Sequence, residues 1–322
     1  MPVYVGTSGW NYPTGRGTWN GVFYPARRTK GFDELAYYAE HFDTVEVNST
    51  FYRVPEPDLS VSWLRRTPAN FLFSAKLYQK FTHPDMYLSR AGVTAWDLSR
   101  ADIDQFRHGI DPIAEAGRLA ALLIQFPPSF HAVPATREYL DWLLAAFADY
   151  PLAVELRHRS WSDAGDDTRA RLDAHRAAWT LIDEPKFEMS IRQDEVERSW
   201  GTEKAGRTDK SGHSEMSTAL TYVRLHGRNA AKWWDHDEAE DRYDYLYSAD
   251  ELEPVASIAK SAASTSKRVL VYFNNHFSAK AVANAAVLKD ELDQALPGEY
   301  PREMVDRYPE LAGRIVTSGL TF

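Results

Sequence analysis

Cysteine is absent from the 322 residues. That removes disulfides, thiolate nucleophiles and Cys-ligated zinc, and it fits a cytoplasmic location. No apolar run reaches the roughly 18 residues that a membrane-spanning helix requires, so no membrane span is expected. The N-terminal MPVYVGTSGW enters strand-like residues directly and does not read as a signal peptide. Positive charge is in short supply: 37 Lys and Arg face 46 Asp and Glu, a net charge of −9. Such a field does not coat nucleic acid or an anionic membrane, although it leaves room for a local basic pocket. There is no GxGxxG after a strand, no GxxxxGK[ST] and no GxSxG elbow, so the usual nucleotide cofactors and a hydrolase serine have no support. The cofactor is left unassigned.

What is present is an alternation. Strand-like runs occur at 3–8, 44–49, 71–76, 121–126, 152–157, 178–183, 222–227 and 269–274, separated by helical patterns. Eight strands alternating with helices predict parallel βαβ units, an α/β barrel in a single domain over 1–322. The pattern FDELAYYAEHF (32–42) predicts one helix, with acids in its first turn. Pro112 is expected to bend or interrupt another, and Thr136 is expected to cap a third. A last segment, MVDRYPELAGRIV, is expected to pack a tail across the barrel. Two long polar loops follow strands 6 and 7, at about 185–217 and 229–248; loops of that length are usually lids, binding loops or disordered.

Strand parity sorts side chains into an interior set and a helix-facing set. In TYVRLHGR (221–228), Arg224 and His226 fall on one face and Val223 and Leu225 on the other. The same sorting puts Glu46, Asn48, Lys76, Glu155 and Arg157 inward, with Gln125, Asp183 and Asn274 at the corresponding late positions. The C-terminal strand ends of a parallel barrel carry its active site. Polar groups gathered there are satisfied by a ligand, a metal or one another. Trp10 and Tyr52, in the loops after the first two strands, are pocket candidates; most other early aromatics are expected to roof the barrel. The competing structural explanation is a salt-bridge lattice in which Glu46 and Glu155 neutralise Lys76, Arg157 and Arg224.

The motifs GTSGWNY (6–12), WNGVFYP (19–25), TVEVNSTFYRVP (44–55), FSAKLYQKFTH (73–83), LIQFPPSF (123–130), VELRHRSW (154–161), YVRLHGR (222–228) and YFNNH (272–276) resemble the YecE-like family, domain of unknown function 72. The resemblance covers almost the whole chain and implies a (β/α)8 TIM-barrel-like fold with no settled activity. Fold-level likeness to metal-using isomerase and endonuclease barrels is a weak warrant for function. The chain departs from the family pattern in segment 185–217 and in the Trp-rich acidic loop after Arg228.

The expectation is therefore an enzyme that binds a small anionic ligand, bearing a phosphate or carboxylate, at the C-terminal mouth. Glu155 would act as general acid or base with His226 as its proton-transfer partner, and Lys76, Arg157 and Arg224 would clamp the anion. One alternative is a non-catalytic binding barrel. Another is a metal-assisted phosphoesterase or nuclease-like hydrolase using Glu46, Glu155, Asp183 and His226. No HxH or HExxH pair supports that set, so no metal is assigned and nucleic acid is not favoured.

Overall fold

The computed structural model describes residues 2–192, 194, 196, 220–233, 235 and 238–318. Nine strands are present among them: β1 Val3–Thr7, β2 Thr44–Val47, β3 Leu72–Lys76, β4 Leu119–Gln125, β5 Leu152–Glu155, β6 Ala178–Trp179, β7 Leu181–Asp183, β8 Thr221–Leu225 and β9 Val269–Phe273. They form two sheets, β2-β3-β4-β5-β6 and β1-β9-β8-β7, and every pairing within them is parallel. Strands such as β4 are buried along their whole length, as expected of a parallel sheet covered on both faces, and this explains the near-continuous apolar run LAALLIQ.

The α/β class and the alternation are as the sequence predicts, whereas a closed eight-stranded ring is not what the pairing draws. The sixth expected strand is broken at Thr180. Its first half pairs with β5 and its second half with β8, so one run of chain serves both sheets. At the other edges, β1 and β2 share a single parallel bridge, Ser8 with Glu46, and Gly9 N–H donates to the Glu46 carbonyl at 2.8 Å. Gly6 permits this approach: a Cβ there would lie 2.3 Å from the Thr44 carbonyl oxygen.

The helices mostly begin where their caps allow. Asp33 accepts from the Leu35 and Ala36 N–H groups and starts Glu34–His41. Two expectations are corrected. Helix Arg100–Glu115 is not interrupted at Pro112; the proline sits in the last turn, so one ladder hydrogen bond is lost with little helix following it to be displaced. Helix Pro134–Ala146 begins before Thr136: Pro134 fits the first turn, Val133 is the N-cap, and Thr136 accepts from the Val133 N–H. The tail does pack down, burying Met304, Tyr308 and Leu311. Among the described residues no helix is long and apolar enough to cross a membrane. Most of the expected 185–217 loop lies outside the described residues. The 229–248 loop contains two short 3-10 turns, Ala230–Lys232 and Ala239–Tyr243, and reaches the C-terminal ends of the strands.

Between the strands, Leu72, Ala121, Leu123, Ala153, Tyr222, Leu270 and Tyr272 form a small apolar cluster separate from the main core under the helices. It supports the polar layer above it.

Candidate functional site

Arg224, on β8 and 1% exposed, is the centre of that layer. Its Nε and Nη2 donate to the two oxygens of Glu46 at 2.9 and 2.8 Å, a bidentate pair. Its Nη1 donates to Glu155 Oε2 at 2.5 Å and to Gln125 Oε1 at 3.3 Å. Glu46 also accepts from Ser8 Oγ and Tyr222 OH, each at 2.7 Å. On β5, the predicted same-face pair is present: Arg157 Nε donates to Glu155 Oε1 at 2.7 Å. His226 sits between the two guanidinium groups. Its Nε2 lies 3.2 Å from each of them and 3.5 Å from Glu155, and its Nδ1 lies 2.9 Å from the Asn274 amide.

Burial sets the electrostatics, and the partners decide the outcome. Desolvation, the largest single influence, pushes the Glu46 and Glu155 carboxyls up. Their partners together outweigh it, Arg224 with Tyr222 and Ser8 at Glu46 and Arg224 with Arg157 and His226 at Glu155, and both are held below the usual carboxylate range. For His226 burial wins, pushing the ring down to about 4. It is therefore neutral near pH 7, with both nitrogens already facing partners. Glu184 is pushed up by burial, only partly offset by Arg157 at 3.5 Å.

Over this layer lies a cavity of about 300 Å³ lined by Tyr12, Asn48, Tyr52, Lys76, Gln125, Arg157, Arg224, Glu240, Tyr243, Asn274 and His276. Glu155 and His226 do not line it, and both are fully buried beneath. The carboxylates match Arg224 and Arg157, so the structural lattice is real for those two. Lys76 stands apart: among the described residues it has no carboxylate within ion-pair distance, and its Nζ lies 3.9 Å from the centroid of the Phe51 ring. Burial, reinforced by Arg224, pushes its ammonium down to about 7. The Asn48 Oδ1 is buried without a hydrogen-bond partner.

Of the twelve residues singled out from the sequence, two lie elsewhere. Asp183 pairs in register with Leu225, and Ile182 with Arg224, so Asp183 takes the opposite side of the sheet from the site. There it accepts from Arg228 Nη2 at 2.7 Å and from Tyr247 OH at 2.9 Å. Inward parity runs unbroken through Ala178 and Ile182 to the next residue, Glu184, which is the one that reaches Arg157. Trp10 is 9% exposed and packs edge-on against Trp63 at 6.0 Å in the main core, because an indole on that loop fills space between helices. Tyr52 lines the cavity with 49% of its surface exposed. His158, three residues past the end of β5, stacks on His131 at 3.8 Å and does not line the cavity.

Sequence reasoning missed Tyr12, His276, Glu240 and Tyr243. Tyr12 and His276 stack at 4.4 Å and belong to the motifs GTSGWNY and YFNNH just past strand ends, a signal that was available. Glu240 and Tyr243 come from a loop without periodicity. No group of three or more His, Asp or Glu side chains among the described residues is arranged to hold a metal ion. Within the alternative metal set, Glu46 and Glu155 are engaged by Arg224, and Asp183 points elsewhere.

Residues 4–305 match the family described as protein of unknown function DUF72. The UPF0759 protein YunF of Bacillus subtilis is 28% identical over 315 residues, covering 94% of this chain and 99% of that protein. The UPF0759 protein YecE of Escherichia coli K12 is 27% identical over 167 residues, 51% of this chain and 52% of that one. Among solved structures, a DUF72 family protein from Thermotoga maritima superposes with a TM-score of 0.72 at 32% identity, covering 91% of this chain and 100% of that one. Another, from Enterococcus faecalis, gives 0.72 at 23% identity, with 92% and 99% covered.

Proposed function

The chain belongs to the DUF72 family, whose description carries no activity, and within it we propose that the cavity at the C-terminal strand ends is an enzyme active site for a small anionic compound. The reading treats the two sheets as the wall of a (β/α)8-type barrel, joined where β6 hands over to β7 and where Ser8 bridges to Glu46. It places the chain in the cytoplasm, in keeping with a sequence that lacks cysteine.

Lys76 is the observation that carries it. A cavity-lining cation without a carboxylate partner is the position at which a ligand's phosphate or carboxylate supplies the missing counter-charge. Arg157 adds the outer edge of its guanidinium. The rings of Tyr52 and Tyr243 offer walls for a sugar. Glu155 and His226, buried below, orient the guanidinium groups in place of the direct acid–base role first expected of them. A nucleic acid fits less well, since Glu240 stands among the cavity-lining residues.

Calorimetry with phosphate, sulfate, phosphosugars and small sugar acids tests the proposal. Saturable binding by the wild type, weakened at least about tenfold in Lys76→Met, is expected for loss of a charge-assisted contact. Equal affinity in Lys76→Met for every anion that binds, or no binding of any, overturns it.

A further inference from the structure

We propose that Lys76 is a nucleophilic amine that forms an imine with the carbonyl carbon of its substrate, a small aldehyde or ketone carrying a carboxylate or phosphate. The inference rests on the active-site reading above and names the substrate class for that site.

The surroundings of Lys76 are unlike those of Lys80. Lys76 is the last residue of β3, and its carbonyl accepts from Thr50 Oγ1 at 2.6 Å, so the base of the side chain is fixed. The amine ends over the Phe51 ring and borders the cavity, with the carboxylates below it committed to Arg224 and Arg157. Lys80, four residues along, is the contrast: its Nζ pairs with Asp102 at 2.6 Å, and its proton is held more tightly than usual. Burial, with Arg224 and Arg157 nearby, makes this ammonium give up its proton easily, against the pull of Glu155, Glu46 and the Phe51 ring face, which favour the charged form. With its ionisation at about 7, roughly half of the side chain is free amine at neutral pH, the form that attacks carbonyls.

The step balances without an oxidant or metal. The amine lone pair forms the C–N bond while the carbonyl π pair moves onto oxygen. A proton passes from nitrogen to that oxygen, giving a carbinolamine. With one proton taken from solvent the hydroxyl leaves as water, and the nitrogen lone pair closes the C=N bond of a protonated imine. Arg157 faces the substrate's acidic group. The iminium draws electrons from the neighbouring carbon, the usual purpose of such an adduct.

Two readouts test the proposal on the full chain. In the first, pyruvate, glyoxylate and dihydroxyacetone phosphate are each incubated with the protein and sodium cyanoborohydride, and the adduct is mapped by peptide mass spectrometry. The expected result is one reduced adduct on Lys76 with at least one probe and none at that position in Lys76→Arg, which keeps the charge without the free amine. In the second, trace acetylation across pH reads the amine directly. Lys76 is expected to label with an apparent midpoint below about 8 and, at pH 7, at least about tenfold faster than exposed lysines, whose amine fraction is far smaller.

A midpoint above about 9, or no Lys76 adduct with any of the probes, overturns the proposal. Calorimetry with lactate and glycerol phosphate, which lack the carbonyl, then separates the two readings. If either binds, the anion cavity stands and only the imine falls; if neither binds, both fall.

Discussion

Leu123, Ala153 and Tyr222 lie in the apolar cluster between the strands, whereas two residues further along the same strands Gln125, Glu155 and Arg224 form a charged and hydrogen-bonded layer. Both levels are buried, yet they hold together for different reasons. The lower one gains from removing apolar surface from water and tolerates changes that preserve volume. The upper one is stable only because each charge meets its partner, so its parts fail together. Lys76, beside that network but outside its pairings, is where the balance has been left open.

The largest expected effect breaks the upper level. Arg224→Met leaves Glu46 and Glu155 buried without their shared cation, and a loss of about 3–5 kcal/mol is expected in urea denaturation. The loss should shrink at low pH, where the stranded carboxyls take up protons. A cost below about 1 kcal/mol would show that the network is not holding this level together.

Leu123→Ala makes the complementary cut in the lower level. A fully buried leucine lost to a cavity is expected to cost about 2–5 kcal/mol, with the same anion affinity in calorimetry as the wild type. A parallel loss of affinity would show that the two levels are not separable.

Acid sharpens the comparison further. His226 is held neutral down to about pH 4, while in the unfolded chain it takes up a proton near 6.5. Between those values the unfolded state binds more protons, so stability falls as pH drops through this window, by up to about 3 kcal/mol from this residue. Denaturation midpoints at pH 6.5 and 4.5 measure it, and His226→Gln should flatten the slope. An unchanged slope in the variant would assign the acid sensitivity to other groups.

Asp183→Asn should do least. Its partner Arg228 is 40% exposed, so about 1 kcal/mol or less is expected. Anion binding should be unaltered, since Asp183 lies on the other side of the sheet. A loss of binding would return it to the site where the sequence had put it.

Much of the site was legible because strand parity is a local, two-residue rule. Glu46, Lys76, Glu155, Arg157, Arg224 and Asn274 could each be assigned to the interior from their own strand alone. Asp183 was placed by its position late in the strand and not by the rule: Ala178 and Ile182 both face inward, so odd-numbered residues take the other face on both sides of the break at Thr180. The rule said little about Tyr243 or Glu240, which reach the cavity from a loop with no period to read. Trp10 was misjudged because an aromatic near a strand end suits a pocket wall and a helix-packed core equally well.

The sequence by itself determined the α/β class, the parallel order of its strands and most of the side chains that turn inward, because these follow from hydrophobic period and connection length. Only the tertiary structure decided which charges meet. Arg224 reaches Glu46 across 178 residues of chain, and Glu155 is shared by two guanidinium groups. Lys76 is left facing a cavity with an aromatic ring beneath it. Pairing depends on distances across an interior that no single segment contains, and an unpaired lysine becomes recognisable only after every nearby carboxylate has been assigned.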